Sequence, residues 1–280
     1  MSRDIRRLQS PSPRASSHEA ALFLKTAHDL ADLAGTKVLP YFRKSVRIDN
    51  KASNGLFDPV TTADTAAERA MRKHLAATLP NHGIVGEEFA ELKGTSDYRW
   101  VLDPIDGTRA FIMGYPLWGV LVGLLHVDTP ILGIMDQPYT RERFWSDGKK
   151  SEYRDTTGKV RRLKTRACPD LSHATLASTS PDLFTTPAEK AAFNRVSARA
   201  RLTRYGGDCY AYCLLAAGQV DLIVEAGLKA VDIVALIPII EDAGGYITTW
   251  DGKPAIKGGR IIASGDAKLH AAALELLASK

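Results

Sequence analysis

The chain has 280 residues, 45% of them hydrophobic and 25% charged, which is typical of a globular protein with a substantial core. Its net charge of +5 is modest and its lysines and arginines are scattered, which argues against a nucleic-acid-binding face. No apolar stretch reaches the roughly 20 residues of a membrane span, and the three cysteines form no disulfide framework or zinc pattern, so a reducing cytoplasm is expected.

The N-terminal part of the chain predicts a tail followed by two helices. Residues 1–17 are rich in arginine, serine and proline and lack the apolar segment of a secretory signal, which favours a disordered tail over a transit peptide. Apolar residues at helical spacing predict a helix over residues 18–42. A second helix is predicted over residues 65–79, ended by Pro80, and the segment 50–59 between them is polar.

The rest of the chain is predicted to change from strands to alternating strands and helices. Strands are predicted first, over residues 84–85, 99–102, 118–126, 131–136 and 143–146, followed by a charged hairpin or loop at 149–165. After about residue 172, strands at 174–178, 202–205 and 220–225 alternate with helices at 188–198, 209–217 and 233–243. Such alternation favours a sheet with helices on its faces.

The most informative motif is an apolar run that ends at Asp103 and is followed by Pro104, Ile105 and Asp106. Pro104 cannot donate to a strand ladder, so the backbone turns and both carboxylates can point at one centre, with the Ile105 carbonyl beside them. Oxygen ligands of this mixed kind suit a hard divalent cation such as Mg²⁺. The motif alone is equally compatible with an ordinary Asp-Pro turn in which Asp106 caps a helix.

The residues around this motif strengthen the case for a cation and a phosphate. Gly107 permits close backbone approach, and the N–H groups of Gly107 and Thr108 would suit a phosphate oxygen if they open a helix. Acids also end or follow other apolar segments, at Asp64, Glu87, Glu88, Glu225 and Asp232. Several such sites are hard to explain as solvated surface.

Together, Glu87-Glu88, Asp103-Pro-Ile-Asp-Gly-Thr108 and Asp232 resemble the inositol monophosphatase-like superfamily of metal-dependent phosphatases. Within it, Asp-Gly-Thr-Arg-Ala-Phe111 and Arg204-Tyr-Gly-Gly-Asp-Cys-Tyr-Ala-Tyr212 are most similar to histidinol-phosphatases. The resemblance implies an α/β fold, a layered α-β-α-β-α sandwich. An N-terminal α+β lobe (residues 18–170) would carry most metal ligands and form one catalytic unit with a C-terminal α/β lobe (residues 171–280).

The resemblance also implies the catalytic residues. Two or three Mg²⁺ ions would be bound by the side chains of Glu87, Asp103, Asp106 and Asp232 and by the carbonyl of Ile105. Thr108 and Asp64 match the Thr–Asp pair that positions and deprotonates the attacking water. A simple N-cap is the alternative for Asp64, and the role of Glu88 stays open.

Substrate contacts are expected from Gly107, Thr108, Arg109, Gly207, Asp208, Glu225 and Asp232. Carboxylates at Asp208 and Glu225 suit the ammonium and imidazole groups of histidinol phosphate, whereas a neutral polyol would gain less from them. A helix cap is the alternative for Asp208. Tyr210 and Tyr212 are candidates for contacting a substrate ring, and Trp118 is expected in the core.

The expected function is hydrolysis of histidinol phosphate to histidinol and phosphate, in histidine biosynthesis, by direct attack of metal-activated water. The alternatives are an inositol-1-phosphate phosphatase of broad specificity, a 3′-phosphoadenosine-type phosphatase, and a regulatory binding protein that retains the fold. The 3′-phosphoadenosine-type motif tends to have Lys where this chain has Arg109. A cytoplasmic homodimer without nucleic-acid or membrane partners is expected.

Overall fold

The computed structural model describes residues 16–44, 48–50 and 59–279. The predicted tail, residues 1–17, lies outside the described part except for Ser16 and Ser17, which cap and begin the first helix. The predicted polar segment, residues 50–59, likewise lies outside it except for its two end residues.

Four helices of the described part begin at a side-chain N-cap, at Ser16, Thr61, Thr186 and Asp266. In the first, Ser16 Oγ accepts from Glu19 N at 3.2 Å while Glu19 Oε2 accepts from Ser16 N at 2.9 Å, a capping box. The helix predicted over 233–243 is instead two helices, because Pro238 has no N–H to donate to the Val234 carbonyl. The helices are α1 (Ser17–Val38), α2 (Thr62–Thr78), α3 (Thr108–Met113), α4 (Pro187–Ser197), α5 (Asp208–Ala216), α6 (Ala230–Ile233), α7 (Leu236–Asp242) and α8 (Ala267–Ala278).

The larger sheet of the described residues has seven strands in chain order, with β3 parallel to β4 and every other pair antiparallel. The charged segment 149–165 contributes its last two strands as a hairpin. The strands are β3 (Gly83–Gly86), β4 (Tyr98–Asp106), β5 (Gly119–His126), β6 (Thr129–Gln137), β7 (Glu142–Ser146), β8 (Ser151–Arg154) and β9 (Val160–Arg162). A short antiparallel pair, β1 (Ile48–Asn50) and β2 (Pro59–Thr61), precedes α2.

The second sheet of the described residues has five strands in the order β11-β10-β12-β14-β13. β10 is parallel to both β11 and β12, and β14 is antiparallel to β12 and β13. These strands are β10 (Thr175–Ser178), β11 (Leu202–Tyr205), β12 (Leu222–Leu228), β13 (Tyr246–Thr249) and β14 (Gly259–Ser264).

The two sheets alternate with helices, which confirms the predicted layered sandwich. Helices α1 and α2 cover one face of the larger sheet, α5, α6 and α7 pack on its other face, and α5 and α7 also contact the second sheet. Helices α4 and α8 pack together, and α8 lies against β14. Side chains of β5 alternate between the two faces of the sheet: Val120, Val122 and Leu124 pack with α1 and α2, whereas Leu121 packs with α5 and α7. The lobe boundary at residues 170 and 171 stays a prediction.

Within the ranges that the structure describes, every helix is too short or too polar to cross a membrane.

Candidate active site

A β-bulge shapes the end of β4. Asp103 lies opposite Leu121 and Asp106 lies opposite Gly119, so β4 carries one more residue than β5 between these pairs. Pro104 cannot donate to the ladder at this point, and Asp103 Oδ1 instead accepts a hydrogen bond from Ile105 N at 3.0 Å. The bulge therefore interrupts regular strand alternation between the two aspartates.

The turn after the bulge packs against the start of α5. Gly107 has φ +83°, in the left-handed region, and precedes α3. A Cβ at Gly107 would lie 3.1 Å from Asp208 Cβ and 3.2 Å from Trp118 Cα, so glycine is what permits the close approach. Thr108 Oγ1 donates to the Ile105 carbonyl at 3.0 Å. The structure thus brings Gly107 next to Asp208, two of the residues from which substrate contacts are predicted.

Three carboxylates converge where β4, α5 and α6 meet, and we call Asp103, Asp106 and Asp232 the acid centre. Each offers an oxygen, and these oxygens lie within 4.8 Å of one another. Asp232 lies in the first turn of α6, where its Oδ2 accepts from Lys229 N at 2.7 Å. Asp106 Oδ2 accepts from Cys209 N of α5 at 2.8 Å. The bond from Cys209 therefore joins α5 to the end of β4, and the bond from Lys229 fixes Asp232 within its own helix turn.

The electrostatics of the acid centre fit a bound cation. Burial raises the pKa of Asp103 well above its ordinary value, and the charges of Glu87, Asp106 and Asp232 raise it further. Burial likewise raises the pKa of Asp106 well above its ordinary value, and burial raises the pKa of Asp232 to about 6. Clustered, buried anions are costly unless a cation balances them. A donor set made only of oxygens fits a hard divalent cation.

Asp64 has a buried carboxylate oxygen that is open to a further partner. Its Oδ2 accepts from Thr61 N at 2.8 Å and from Thr61 Oγ1 at 2.5 Å. Thr61 is therefore the N-cap of α2, and the interpretation of Asp64 as the N-cap is wrong. In the described part of the chain, Asp64 Oδ1 is buried without a hydrogen-bond partner, and burial raises the pKa of Asp64 to about 6.

Glu87 lies beside the acid centre, and its contacts were not foreseen from the sequence. Its Oε1 lies 3.2 Å from Lys229 Nζ, and its charge raises the pKa of Asp103 and of Asp232. The backbone N–H of the next residue, Glu88, donates to Glu68 Oε2 at 2.7 Å. Sequence reasoning missed both Lys229 and Glu68. The position of Glu68, one helical turn after Asp64, was the available signal.

The predicted substrate residues form a charged group at the start of α5. Asp208 has φ +43° and is the first residue of α5, whose N-cap is Gly207, so the interpretation of Asp208 as the cap is wrong. Burial and then the charge of Glu225 raise the pKa of Asp208 to about 7, against the charge of Arg109, which lowers it. These effects place Glu225 and Arg109 within electrostatic reach of Asp208.

The carboxylate of Glu225 is fixed at both oxygens. Thr179 N donates to Oε1 at 2.7 Å and the Tyr212 hydroxyl donates to Oε2 at 2.8 Å. Tyr212 is itself only 2% exposed, and the contact of its ring with a substrate stays a prediction. The Tyr210 hydroxyl donates to Glu142 Oε2 at 2.7 Å. Trp118 is fully buried, as expected for a core residue.

Comparisons with known proteins agree with this geometry. The model of the Inositol monophosphatase family matches residues 19–280. The chain is 43% identical to the chloroplastic bifunctional phosphatase IMPL2 of Arabidopsis thaliana, over 96% of this chain and 78% of that protein. It is 32% identical to a histidinol-phosphatase of Chlorobaculum parvum, over 86% of this chain and 91% of that protein.

The fold matches solved structures over nearly its whole length. An inositol monophosphatase from Zymomonas mobilis superposes with a TM-score of 0.81 at 42% identity, covering 94% of this chain and 99% of that one. The sequence motifs, the layered fold and the convergent carboxylates thus agree with the family match. The chain belongs to the inositol monophosphatase family of metal-dependent phosphatases.

Proposed function

We propose that this protein is a Mg²⁺-dependent phosphatase that hydrolyses histidinol phosphate to histidinol and phosphate, a step of histidine biosynthesis. The observation that carries this substrate is the pair of carboxylates Asp208 and Glu225: the charge of Glu225 raises the pKa of Asp208, and Asp208 packs against Gly107. Histidinol phosphate carries an ammonium and an imidazole, and cationic donors form strong hydrogen bonds with carboxylates. The 32% identity to a histidinol-phosphatase supports the same substrate.

The residues that would hold two or three Mg²⁺ ions are the acid centre, the Glu87 side chain and the Ile105 carbonyl. When bound, such ions offset the charge of the phosphate and lower the pKa of water. Two properties of these residues support the assignment: all of their donor atoms are oxygens, and their carboxylates repel one another.

Asp64 and Thr108 would act on the attacking water. Asp64 Oδ1, the oxygen without a partner among the described residues, would accept the proton of that water. The Thr108 hydroxyl would orient the water, and the N–H groups of Gly107 and Thr108 would hold a phosphate oxygen. The water oxygen forms a bond to phosphorus as the ester P–O bond breaks, and the departing alcohol oxygen takes up a proton. No covalent enzyme intermediate is required.

The second candidate is an inositol-1-phosphate phosphatase of broad specificity. The 42% identity to the Zymomonas mobilis inositol monophosphatase favours it. Phosphate release should be measured with histidinol phosphate, inositol 1-phosphate and a 3′-phosphoadenosine nucleotide, and kcat/KM compared. We expect kcat/KM to be at least about tenfold higher for histidinol phosphate, because one charge-assisted hydrogen bond contributes about that factor. Equal or better hydrolysis of inositol 1-phosphate would reject the histidinol-phosphatase assignment.

A regulatory binding role can be distinguished from catalysis by a variant that changes the buried acid centre but leaves the protein surface unchanged. In cells that require this protein for growth without histidine, Asp103→Asn should abolish growth if the function is catalytic. Growth supported by Asp103→Asn would favour the regulatory role. We further propose a homodimer, testable by light scattering, and a cytoplasmic location, testable by cell fractionation; the related IMPL2 of Arabidopsis thaliana is chloroplastic.

A further inference from the structure

Helix α2 contacts the segment that carries Glu87 through a buried carboxylate, Glu68. Glu68 is fully buried and lies one turn after Asp64 on the same helix. Its Oε2 accepts from the backbone N–H of Glu88 at 2.7 Å, and its Oε1 accepts from Arg72 Nε at 2.7 Å. The two oxygens therefore connect the segment after β3 to the arginine of α2.

Arg72 makes a second connection to the same segment. Its Nη2 donates to the Phe89 carbonyl at 2.9 Å. Its guanidinium carbon lies 5.8 Å from the centroid of the Phe89 ring, and that of Arg69 lies 5.5 Å from it, both within cation–π range. The backbone is thus held at Glu88 and at Phe89, directly after Glu87.

The residue before Glu87 must be a glycine for these contacts to form. Gly86 ends β3, and a Cβ added there would lie 1.9 Å from Glu68 Oε1 and 2.3 Å from Glu68 Cδ. Such distances are far below any real contact, so a larger residue at Gly86 would displace the carboxylate. We call Glu68, Arg72 and Gly86 the loop bracket.

The loop bracket is a costly way to achieve stability alone. A buried ion pair must repay the desolvation of both charges, and apolar residues of similar volume are often as stabilising or more so. The bracket does, however, fix the backbone on both sides of Glu87. We infer that Glu68 and Arg72 are positioning residues that direct the Glu87 carboxylate towards the acid centre. This inference rests on the proposed function, in which Glu87 binds a cation.

The inference is tested by comparing the metal affinity of the Glu68→Gln variant with that of the wild-type protein. Glutamine offers one acceptor oxygen to two donors, so either Arg72 or the Glu88 N–H faces an amide NH₂ group. We expect the Kd for Mn²⁺, measured from the electron paramagnetic resonance of free Mn²⁺, to rise about 10- to 100-fold. The Mg²⁺ concentration for half-maximal activity should rise in parallel, with kcat at saturating Mg²⁺ changed by less than about threefold.

A matched control separates positioning from a general loss of stability. Asp136 is 2% exposed and pairs with Arg143 Nε at 2.6 Å, an ion pair that joins β6 to β7. Asp136→Asn should lower Tm but leave the Kd for Mn²⁺ unchanged. If Glu68→Gln fails to fold, Arg72→Met serves as the second test, because it removes the hydrogen-bond donors of Arg72 from a side chain that is only partly buried. Either variant, folded and with wild-type Mn²⁺ affinity, would overturn the inference.

The Mn²⁺ titration requires no substrate, so it is independent of the proposed reaction. A wild-type protein that binds Mn²⁺ but hydrolyses neither histidinol phosphate nor inositol 1-phosphate would refute the proposed function alone. If Glu87→Gln binds Mn²⁺ as tightly as the wild type, the inference is refuted whatever the activity, because Glu87 then has no ligand role to support.

Discussion

The charge of Asp208 is expected to decide substrate preference, and Asp208→Asn isolates that charge. Asp208 has φ +43°, where asparagine is among the best-tolerated residues, so the variant keeps the backbone that alanine would strain. A hydrogen bond to a charged group contributes about 1.5–3 kcal/mol, which is about 10- to 150-fold in kcat/KM. Coulomb's law gives a ceiling of about 4 kcal/mol for unit charges about 4 Å apart at an effective dielectric constant of about 20.

The assay compares kcat/KM for histidinol phosphate and inositol 1-phosphate at pH 8 with saturating Mg²⁺. Burial raises the pKa of Asp208 to about 7, so its carboxylate is mostly ionised at pH 8. Asp208→Asn should lower kcat/KM about 10- to 150-fold for histidinol phosphate and less than about threefold for inositol 1-phosphate. Equal losses on both substrates would show that Asp208 only shapes the start of α5, and no loss on either would refute the ammonium contact.

Three further outcomes are expected. Asp103→Asn should lower phosphatase activity at least about 100-fold, because several kcal/mol of cation binding are lost, yet raise Tm in EDTA by removing a buried, repelled charge; a lower Tm would contradict this. Burial raises the pKa of Asp64 to about 6 and of Asp208 to about 7. Stability from these groups is present below about pH 4 and lost as pH rises through 6 to 7. In EDTA, Tm should therefore be lower at pH 8 than at pH 5, and Mg²⁺ should restore it; a Tm independent of pH would refute the cost of ionising these buried carboxylates. Tyr212→Phe removes a donor to Glu225 worth about 1 kcal/mol, so KM for histidinol phosphate should rise about fivefold, with inositol 1-phosphate as the control; an equal rise for both would indicate a structural role.

Apolar spacing was enough to predict most elements but not their ends. The helix predicted over 65–79 begins at Thr62 in the structure, because the capping box of Thr61 and Asp64 lies before the first periodic apolar residue. The strand predicted over 99–102 continues to Asp106, since a bulge lets Pro104 remain within it. Strands β13 and β14 and helix α8 received no assignment from the sequence. Strand β14 pairs with β12, which lies well before it in the chain, and β13 is placed in turn by pairing with β14.

The candidate site was predictable as a set of residues but not as a set of contacts. The spacing of Asp103 and Asp106 indicated convergence, and the structure places oxygens of both within 4.8 Å of one from Asp232. The ion pair between Glu87 and Lys229 joins residues 142 positions apart. No local pattern encodes such a contact, because it depends on how the first turn of α6 packs on β4.

Backbone N–H groups help to hold the buried carboxylates of the acid centre in place. Its carboxylates, and that of Asp64, accept from the N–H groups of Ile105, Cys209, Lys229 and Thr61. Three of these donors lie at or before the first turns of α5, α6 and α2, where unpaired N–H groups carry partial positive charge. A helix end supplies only about half an elementary charge, so such donors orient a carboxylate without neutralising it. The same contacts that hold the carboxylates in place therefore leave most of their negative charge for a cation, which is why the raised pKa values and the convergent geometry occur at the same residues.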